Sequence, residues 1–258
     1  MNSSRREQIR ELLCNRPFIS FDELHEMFPG VSNMTLRRDI EYFEEQSEAI
    51  KVRGGARSMK FITTCMEGKF SLRMNENTPA KQKIASVALS LIETERSVFL
   101  DSGTTIFQLA ATMPDERLVV TTTGPNIALE LIKKKLPIVN LVGGMLNRDS
   151  ISVSGNNATK FLADINIDFA FIVPSGASAE TGFTCGNYAE CEFKRQVIEK
   201  ARRTIILADH SKFGRTLPYT FAEFGMVDTI ITDRAVSGDI ADAAKRAGTQ
   251  IIAADIGE

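Results

Sequence analysis

The chain has 258 residues, a formal net charge of −2, 43% hydrophobic and 25% charged residues. That length allows one large core or two smaller ones, and the balance excludes both global disorder and a strongly basic coat for coating nucleic acid. No apolar run approaches the ~20 residues of a membrane span, and the N-terminus lacks the apolar stretch of a secretion signal. A soluble, cytoplasmic protein with no membrane partner is expected.

The first fifty-seven residues have a short helical rhythm. Ile9, Leu12 and Leu13 form an apolar stripe that Pro17 breaks, and Ile19 marks a brief extended passage. Ser20 sits where an N-cap would, with Glu23 at the capping-box position. Leu24, Met27 and Phe28 give that second helix an apolar face, which Pro29-Gly30 ends. Ser32 caps again, and Met34, Leu36, Ile40 and Phe43 run at roughly helical spacing through a third helix. Ala49–Val52 reads as a strand, followed by Arg53-Gly54-Gly55-Ala56-Arg57. Helix, helix, tight turn, helix and glycine-tipped strand outline a winged helix-turn-helix over residues 1–57.

In that outline Ser32, Asn33, Thr35, Arg37 and Arg38 stand on the helix that enters the major groove. Hydroxyls and amides bond phosphates or base edges, and arginine clamps guanine or neutralises phosphate. Lys51, Arg53 and Arg57 put positive charge on the wing, with Gly54 and Gly55 at its tip. Over residues 1–60 ten Lys/Arg balance ten Asp/Glu, so the case rests on where the charges sit: Glu41, Glu44, Glu45 and Glu48 lie beyond the contact end. The bland alternative is a solvated arginine pair with one member held by Glu41. Asp39 is expected to hold one of the two arginines in place.

Residues 58–79 lack periodicity and read as a linker. Beyond them strands at Ser97–Asp101, Leu118–Thr122, Ile138–Val142, Asp168–Val173, Thr204–Asp209, Thr229–Thr232 and Gln250–Ala253 alternate with helical patterns at Lys81–Ile92, Thr105–Ala111, Asn126–Lys134, Asn157–Ala163, Glu190–Ala201 and Asp239–Arg246. Apolar strands separated by amphipathic helices give an α/β domain, residues 80–258, with a buried, mostly parallel sheet.

The sharpest motif there is Asp101-Ser102-Gly103-Thr104-Thr105, where a strand ends and a helix begins. Small residues allow close approach, hydroxyls donate, and a helix N-terminus offers free N–H groups to an anion such as a sugar phosphate. It reads equally well as a simple helix cap. Polar and glycine clusters recur at other strand ends, at Thr121–Gly124, Gly143-Gly144, Ser154-Gly155, Ser175–Ala177 and Asp209–Lys212, where crevices form in open sheets. Glu190 and Lys194, four apart, share a helix face and would suit a surface ion pair. Asp168 opens a buried strand and needs a partner. The cysteines Cys14, Cys65, Cys185 and Cys191 show neither C-x-x-C nor zinc-finger spacing, so isolated thiols are expected, with no metal and no cofactor.

VSNMTLRRDIEYFEE followed by KVRGGA resembles the DeoR family of bacterial transcriptional regulators, with Lys51 for the usual arginine, Arg53 for the usual histidine and Ser47 where the family often has glycine. The second half resembles the same family through LDSGTT, Gly143-Gly144, DFAFIVPSG with GFT after it, ECEFKR and ADHSKFG. The resemblance implies a sensor domain similar in fold to ribose-5-phosphate isomerase and a repressor of a carbohydrate operon, active as a homodimer or homotetramer. Its implied partners are a double-stranded DNA operator and a small phosphorylated sugar. It implicates Asp101, Gly103, Thr104 and Thr105 in phosphate binding, with Thr122 and Thr123 replacing part of a family T-N-S motif. Gly143, Gly144, Asp168, Gly176, Glu190, Lys194, Asp209 and Lys212 are implied as pocket or pocket-support positions. Two alternatives stand beside this: a sugar-phosphate isomerase or deaminase with an appended DNA-binding module, and a regulator whose pocket takes other ligands.

Overall fold

In the computed structural model, which describes residues 2–16, 18–46, 48–58, 68–236 and 238–254, the chain divides into a unit over Met1–Met66 and a unit over Glu67–Glu258. Pro17, Ser47, Cys65 and residues 59–67 of the expected linker lie outside the described residues.

The first unit runs α1 (Asn2–Asn15), β1 (Phe18–Ser20), α2 (Phe21–Met27), α3 (Asn33–Glu45), β2 (Ala49–Val52) and β3 (Gly55–Ser58). Ser20 and Glu23 close the expected capping box: Glu23 N–H donates to Ser20 Oγ at 3.0 Å and Ser20 N–H to Glu23 Oε2 at 2.8 Å. Two orphan donors of α2 are thereby satisfied. Ile9, Leu13, Ile19, Leu24, Leu36, Ile40 and Phe43 meet in one core, as their helical spacing requires. Met27 and Met34, counted with the apolar stripes, are instead exposed. The small antiparallel sheet has the order β1-β3-β2, so the short passage at Ile19 is a true strand. Gly54 turns the β2–β3 hairpin at φ +90°. Gly55 packs so tightly on β1 that a Cβ there would lie 2.1 Å from Ile19 O; any side chain would prise β3 from β1.

The second unit is built on a seven-stranded sheet of β4 (Ser97–Leu100), β5 (Val119–Thr122), β6 (Ile138–Leu141), β9 (Ile167–Ile172), β12 (Ala201–Leu207), β14 (Thr229–Thr232) and β15 (Gln250–Ala253). Its order is β15-β14-β12-β9-β4-β5-β6, parallel throughout. Side chains alternate between two cores with period two: Phe99, Ala170 and Ile172 belong to one, and Val98, Leu100, Phe169 and Phe171 to the other. The helices that cover these faces include α5 (Thr78–Leu89), α6 (Thr104–Thr112), α7 (Pro125–Leu131), α8 (Asn156–Leu162), α9 (Tyr188–Lys200) and α10 (Asp239–Ala247).

Three features depart from the sequence reading. Residues 68–79, expected as linker, carry α4 (Phe70–Asn75) and the start of α5. Phe70 is buried, meets Phe107 edge-on and donates its N–H to Asp149 O at 2.7 Å, so this segment belongs to the second unit. A hairpin, β7 (Met145–Asn147) with β8 (Ser152–Ser154), follows β6. A second antiparallel sheet, β10 (Gly176–Ser178), β11 (Gly182–Cys185) and β13 (Tyr219–Ala222), rises beyond β9.

Candidate DNA-facing surface and effector cleft

Ser32 caps α3, its Oγ accepting Thr35 N–H at 3.3 Å and lying 3.0 Å from Thr35 Oγ1. Both hydroxyls therefore hold the helix start, while Asn33 stands exposed beside them. Arg37 and Arg38 are exposed, and neither forms a salt bridge with a described residue. Arg37 lies 5.2 Å from the Phe21 ring centroid, a cation–π contact that aims the guanidinium without neutralising it.

The expected pairing of Asp39 and the alternative pairing of Glu41 are both corrected. Asp39 is buried and accepts Arg5 Nε at 2.6 Å and Arg6 Nε at 2.8 Å, because it lies on the face of α3 turned to α1; it holds neither Arg37 nor Arg38. Glu41 takes Lys51 Nζ at 2.6 Å. That hydrogen bond, with the Lys51 charge, holds the Glu41 carboxyl below its ordinary range, and Arg37 and Arg38 add smaller pulls. Lys51 is thus tied to α3, while Arg53 and Arg57 are the exposed cations of the wing. Gly55 is buried and serves packing. The sequence reading missed Met34, which shares the exposed face of α3 with Arg37 and Arg38 at spacings of three and four.

The second unit holds a narrow cleft. It opens at the C-terminal ends of β4, β9 and β12. From β4 the chain first runs outward to β5 and β6, then returns to place β9 on the other side; this topological switch is where open α/β sheets leave a crevice. Ser102, Gly103, Thr104 and Thr105 line one wall. Gly103 has φ +136°, and a Cβ there would meet Val173 Cγ2 at 2.8 Å, so glycine is required for the turn. No side chain caps α6, leaving its first-turn N–H groups directed at the cleft.

Beneath that turn Asp101 is buried. It accepts N–H groups from Ser102 at 2.8 Å and Val173 at 3.0 Å, and Lys194 Nζ lies 2.9 Å from Oδ2. Lys194 also donates to Val173 O at 2.6 Å. Glu190 Oε1 accepts the hydroxyls of Ser150, at 2.7 Å, and Ser152. Glu190 and Lys194 are buried in the cleft wall, which overturns the surface-pair reading.

Lys212 lines the cleft, and burial pushes its ammonium pKa down against the opposing pull of Asp209. Asp209 stands behind it, accepting Asn77 Nδ2 at 3.1 Å and Ser211 N–H at 3.0 Å. Arg73, from the segment expected as linker, is a further lining residue. Lys81, also unanticipated, is buried and donates to the carbonyls of Arg73 and Glu76, fixing the end of α4. Only the tertiary structure could reveal these two, since neither belongs to a local motif.

Other predicted positions do not line the cleft. Asp168 stands at the start of β9, the opposite end of the strand from Val173; it accepts Ser97 N–H at 3.0 Å and lies 3.4 Å from Arg202. Thr122 and Thr123 are buried at the end of β5, where Thr122 Oγ1 accepts Gly124 N–H at 3.0 Å and Thr123 O accepts Val153 N–H at 2.8 Å. Gly143 and Gly144 make the exposed turn from β6 to β7. Gly176 is buried in β10, where a Cβ would meet Arg215 O at 2.5 Å. Cys185 and Cys191, expected as isolated thiols, are hydrogen-bonded neighbours, and that bond draws the Cys191 thiol down to about 7.

Among the described residues no helix is long and apolar enough to cross a membrane. Residues 5–61 match the DeoR-like helix-turn-helix domain, and residues 76–234 match the DeoR C terminal sensor domain. The chain is 31% identical over 251 residues to the putative aga operon transcriptional repressor of Escherichia coli O157:H7, covering 97% of this chain and 93% of that protein. It is 33% identical over 225 residues to the HTH-type transcriptional repressor GlcR of Bacillus subtilis (strain 168), covering 86% of this chain and 85% of that protein. Among solved structures it is similar to ribose 5-phosphate isomerase A from Methanocaldococcus jannaschii at 16% identity, over 54% of this chain and 55% of that one, with a TM-score of 0.40. Two domain matches in this order, together with full-length relatives, place the chain in the DeoR family of transcriptional regulators.

Proposed function

We propose that the protein represses a carbohydrate operon, reading DNA through residues 1–57 and releasing it when a phosphorylated sugar enters the cleft of the second unit. The observation that carries this reading is the cleft's chemistry. The N-terminus of α6 and the cations Arg73 and Lys212 suit a phosphate, while Glu190, Ser150 and Ser152 suit sugar hydroxyls. Both relatives described above are named as transcriptional repressors. Sensing is favoured over catalysis because the groups fit for acid–base work are already engaged: Glu190 holds two serine hydroxyls, Lys194 is paired with Asp101, and Asp168 sits at the far end of its strand.

DNA contact is assigned to Arg37 and Arg38, with Asn33, Met34 and Arg53 beside them. Each arginine bound to phosphate or guanine is worth about 1–3 kcal/mol. Arg37→Ala/Arg38→Ala should therefore weaken operator binding by roughly 100-fold or more. The slope of log affinity against log salt should become shallower by about 0.9 for each phosphate left without its arginine. Ligand stabilisation should remain at its wild-type value. A gel-shift titration at several salt concentrations reads both affinity and slope; an unchanged operator affinity would remove the arginines from the interface.

The ligand is tested by thermal shift with ribose 5-phosphate, glucosamine 6-phosphate and tagatose 6-phosphate, each against its dephosphorylated counterpart. A ligand at a hundred times its Kd stabilises by about 2.7 kcal/mol, or roughly 5–10 °C in a domain of this size. Stabilisation by the phosphorylated forms alone is expected, together with release of DNA. Turnover of any of these sugars would instead favour an isomerase or deaminase carrying a DNA-binding module.

A further inference from the structure

The two edges of the large sheet are built differently. At one edge β15 exposes only Gln250 and Ala253, its two isoleucines being half-buried. At the other, β6 exposes Ile138 and Leu141, with Leu136 ahead of it and Val119 on the neighbouring strand. Leu118, Val119, Leu136 and Ile138, with Glu95 and Arg117 beside them, line a shallow, mostly apolar trough there. The apolar surface continues on both flanks. Leu129 on the outer side of α7 and Ile132 at its C-cap, three apart, are exposed, and so are Met145 and Leu146 of the hairpin that follows β6.

The β6 backbone is also unguarded. Ile138 N–H donates to Leu118 O at 2.9 Å and Val142 N–H to Thr122 O at 3.0 Å. Residues 138, 140 and 142 therefore face β5, and the N–H and C=O groups of Val139 and Leu141 point to the open side. Sheet edges in monomeric proteins are blunted by proline, lysine, bulges or a covering element. Pro137 and the Lys133–Lys135 run stop short of the strand, and among the described residues no proline, lysine or bulge falls between Ile138 and Leu141.

We infer that the β6 edge, with the outer side of α7 and the β7–β8 hairpin, is the surface through which two copies of this chain associate, β6 pairing antiparallel with its counterpart. Three physical arguments select a second copy as the occupant. The eight large apolar side chains named above as exposed are each between 40% and 71% exposed, enough to form the apolar centre of a stable interface, which buries ~800 Å² on each partner. A strand edge is complementary to itself when the two strands run antiparallel about a two-fold axis, so the joint is closed and does not propagate. Antiparallel pairing also sends the two Lys133–Lys135 runs, which immediately precede β6, to opposite ends of the joint. A parallel arrangement would bring those six lysines together.

The test is the molar mass of the full-length protein, by light scattering or sedimentation, for the wild type and two variants. Ile138→Glu/Leu141→Glu puts charge on the joint, and Val139→Pro removes one outward N–H without touching the bonds to β5. Each variant is expected to halve the mass at micromolar concentration while keeping the wild-type circular dichroism. Each should also lose about 100-fold in affinity for an operator with two half-sites, and little for a single half-site, because linked binding is lost. Val139→Pro keeps the test valid if the double glutamate variant fails to fold. A wild-type protein that is still monomeric at roughly 100 µM, far above the Kd of a stable interface of this size, would overturn the proposal. A wild-type mass in both variants would overturn it as well. So would a monomer whose solubility rises with Ile138→Glu/Leu141→Glu, which would assign the edge to a different protein.

Discussion

Lys194→Met is expected to destabilise the second unit by about 3–5 kcal/mol and to abolish ligand stabilisation. Both ends of the Lys194–Asp101 pair are buried, and the pair lies directly under the turn that begins α6. Methionine approximates the lysine stem but leaves the Asp101 carboxylate with only the N–H groups of Ser102 and Val173. An uncompensated buried charge costs far more than the pair itself contributes. In a unit of this size the loss corresponds to a fall of roughly 10 °C or more in melting temperature. Asp101→Asn in the same chain should restore about 1–2 kcal/mol, since a neutral amide is cheaper to bury than a lone carboxylate. Thermal denaturation of the two single variants and the double variant closes the cycle. Additive losses in the double variant would mean that the two side chains act independently.

Asp39→Ala is expected to cost the first unit about 2–3 kcal/mol. Asp39 is buried between Arg5 and Arg6, and it joins α3 to α1 across the core. Arg6 reaches solvent and can be rehydrated, which keeps the cost below that of a fully buried pair. Yet a unit of some sixty residues has only ~3–5 kcal/mol of stability to lose, so most of it would go. Hydrogen exchange should show residues 2–58 opening at 37 °C while the second unit keeps its protection. DNA binding would then fall because the unit unfolds. Arg37→Ala/Arg38→Ala should remove DNA binding with the fold intact, so the two variants separate the structural carboxylate from the DNA-facing arginines. Asp39→Ala with unchanged exchange protection would show that Arg5 and Arg6 find other partners.

What could be read in advance follows the range of the interactions. The helices of the first unit announce themselves through signals that span three or four residues: the Ser20–Glu23 box, the Ser32 cap, and the spacing of Leu36, Ile40 and Phe43. The parallel strands were equally legible, because a strand buried on both faces is a short apolar run whatever its neighbours are. The hairpin β7–β8 and the sheet β10-β11-β13 were not. Their strands are three or four residues long and several are rich in serine, threonine and glycine, so no apolar run marks them and their existence rests on pairing, which for β13 is with the distant β11. Asp168 is instructive for a different reason. The resemblance put it with the pocket, but its place at the start of a strand sends it to the end of the sheet opposite the cleft.

The sequence by itself determined the helix-turn-helix, the alternating α/β unit, the DSGTT turn at the mouth of α6 and the membership of the DeoR family, since each is written in contiguous residues. Tertiary structure alone decided the partners. It gave Asp39 to Arg5 and Arg6, gave Lys194 to Asp101, set Ser150 and Ser152 against Glu190, and brought Arg73 from the supposed linker to the cleft. The reason is physical: local periodicity fixes which face of an element is apolar, whereas the partner of a buried charge depends on which distant segment the packed core brings within hydrogen-bond reach.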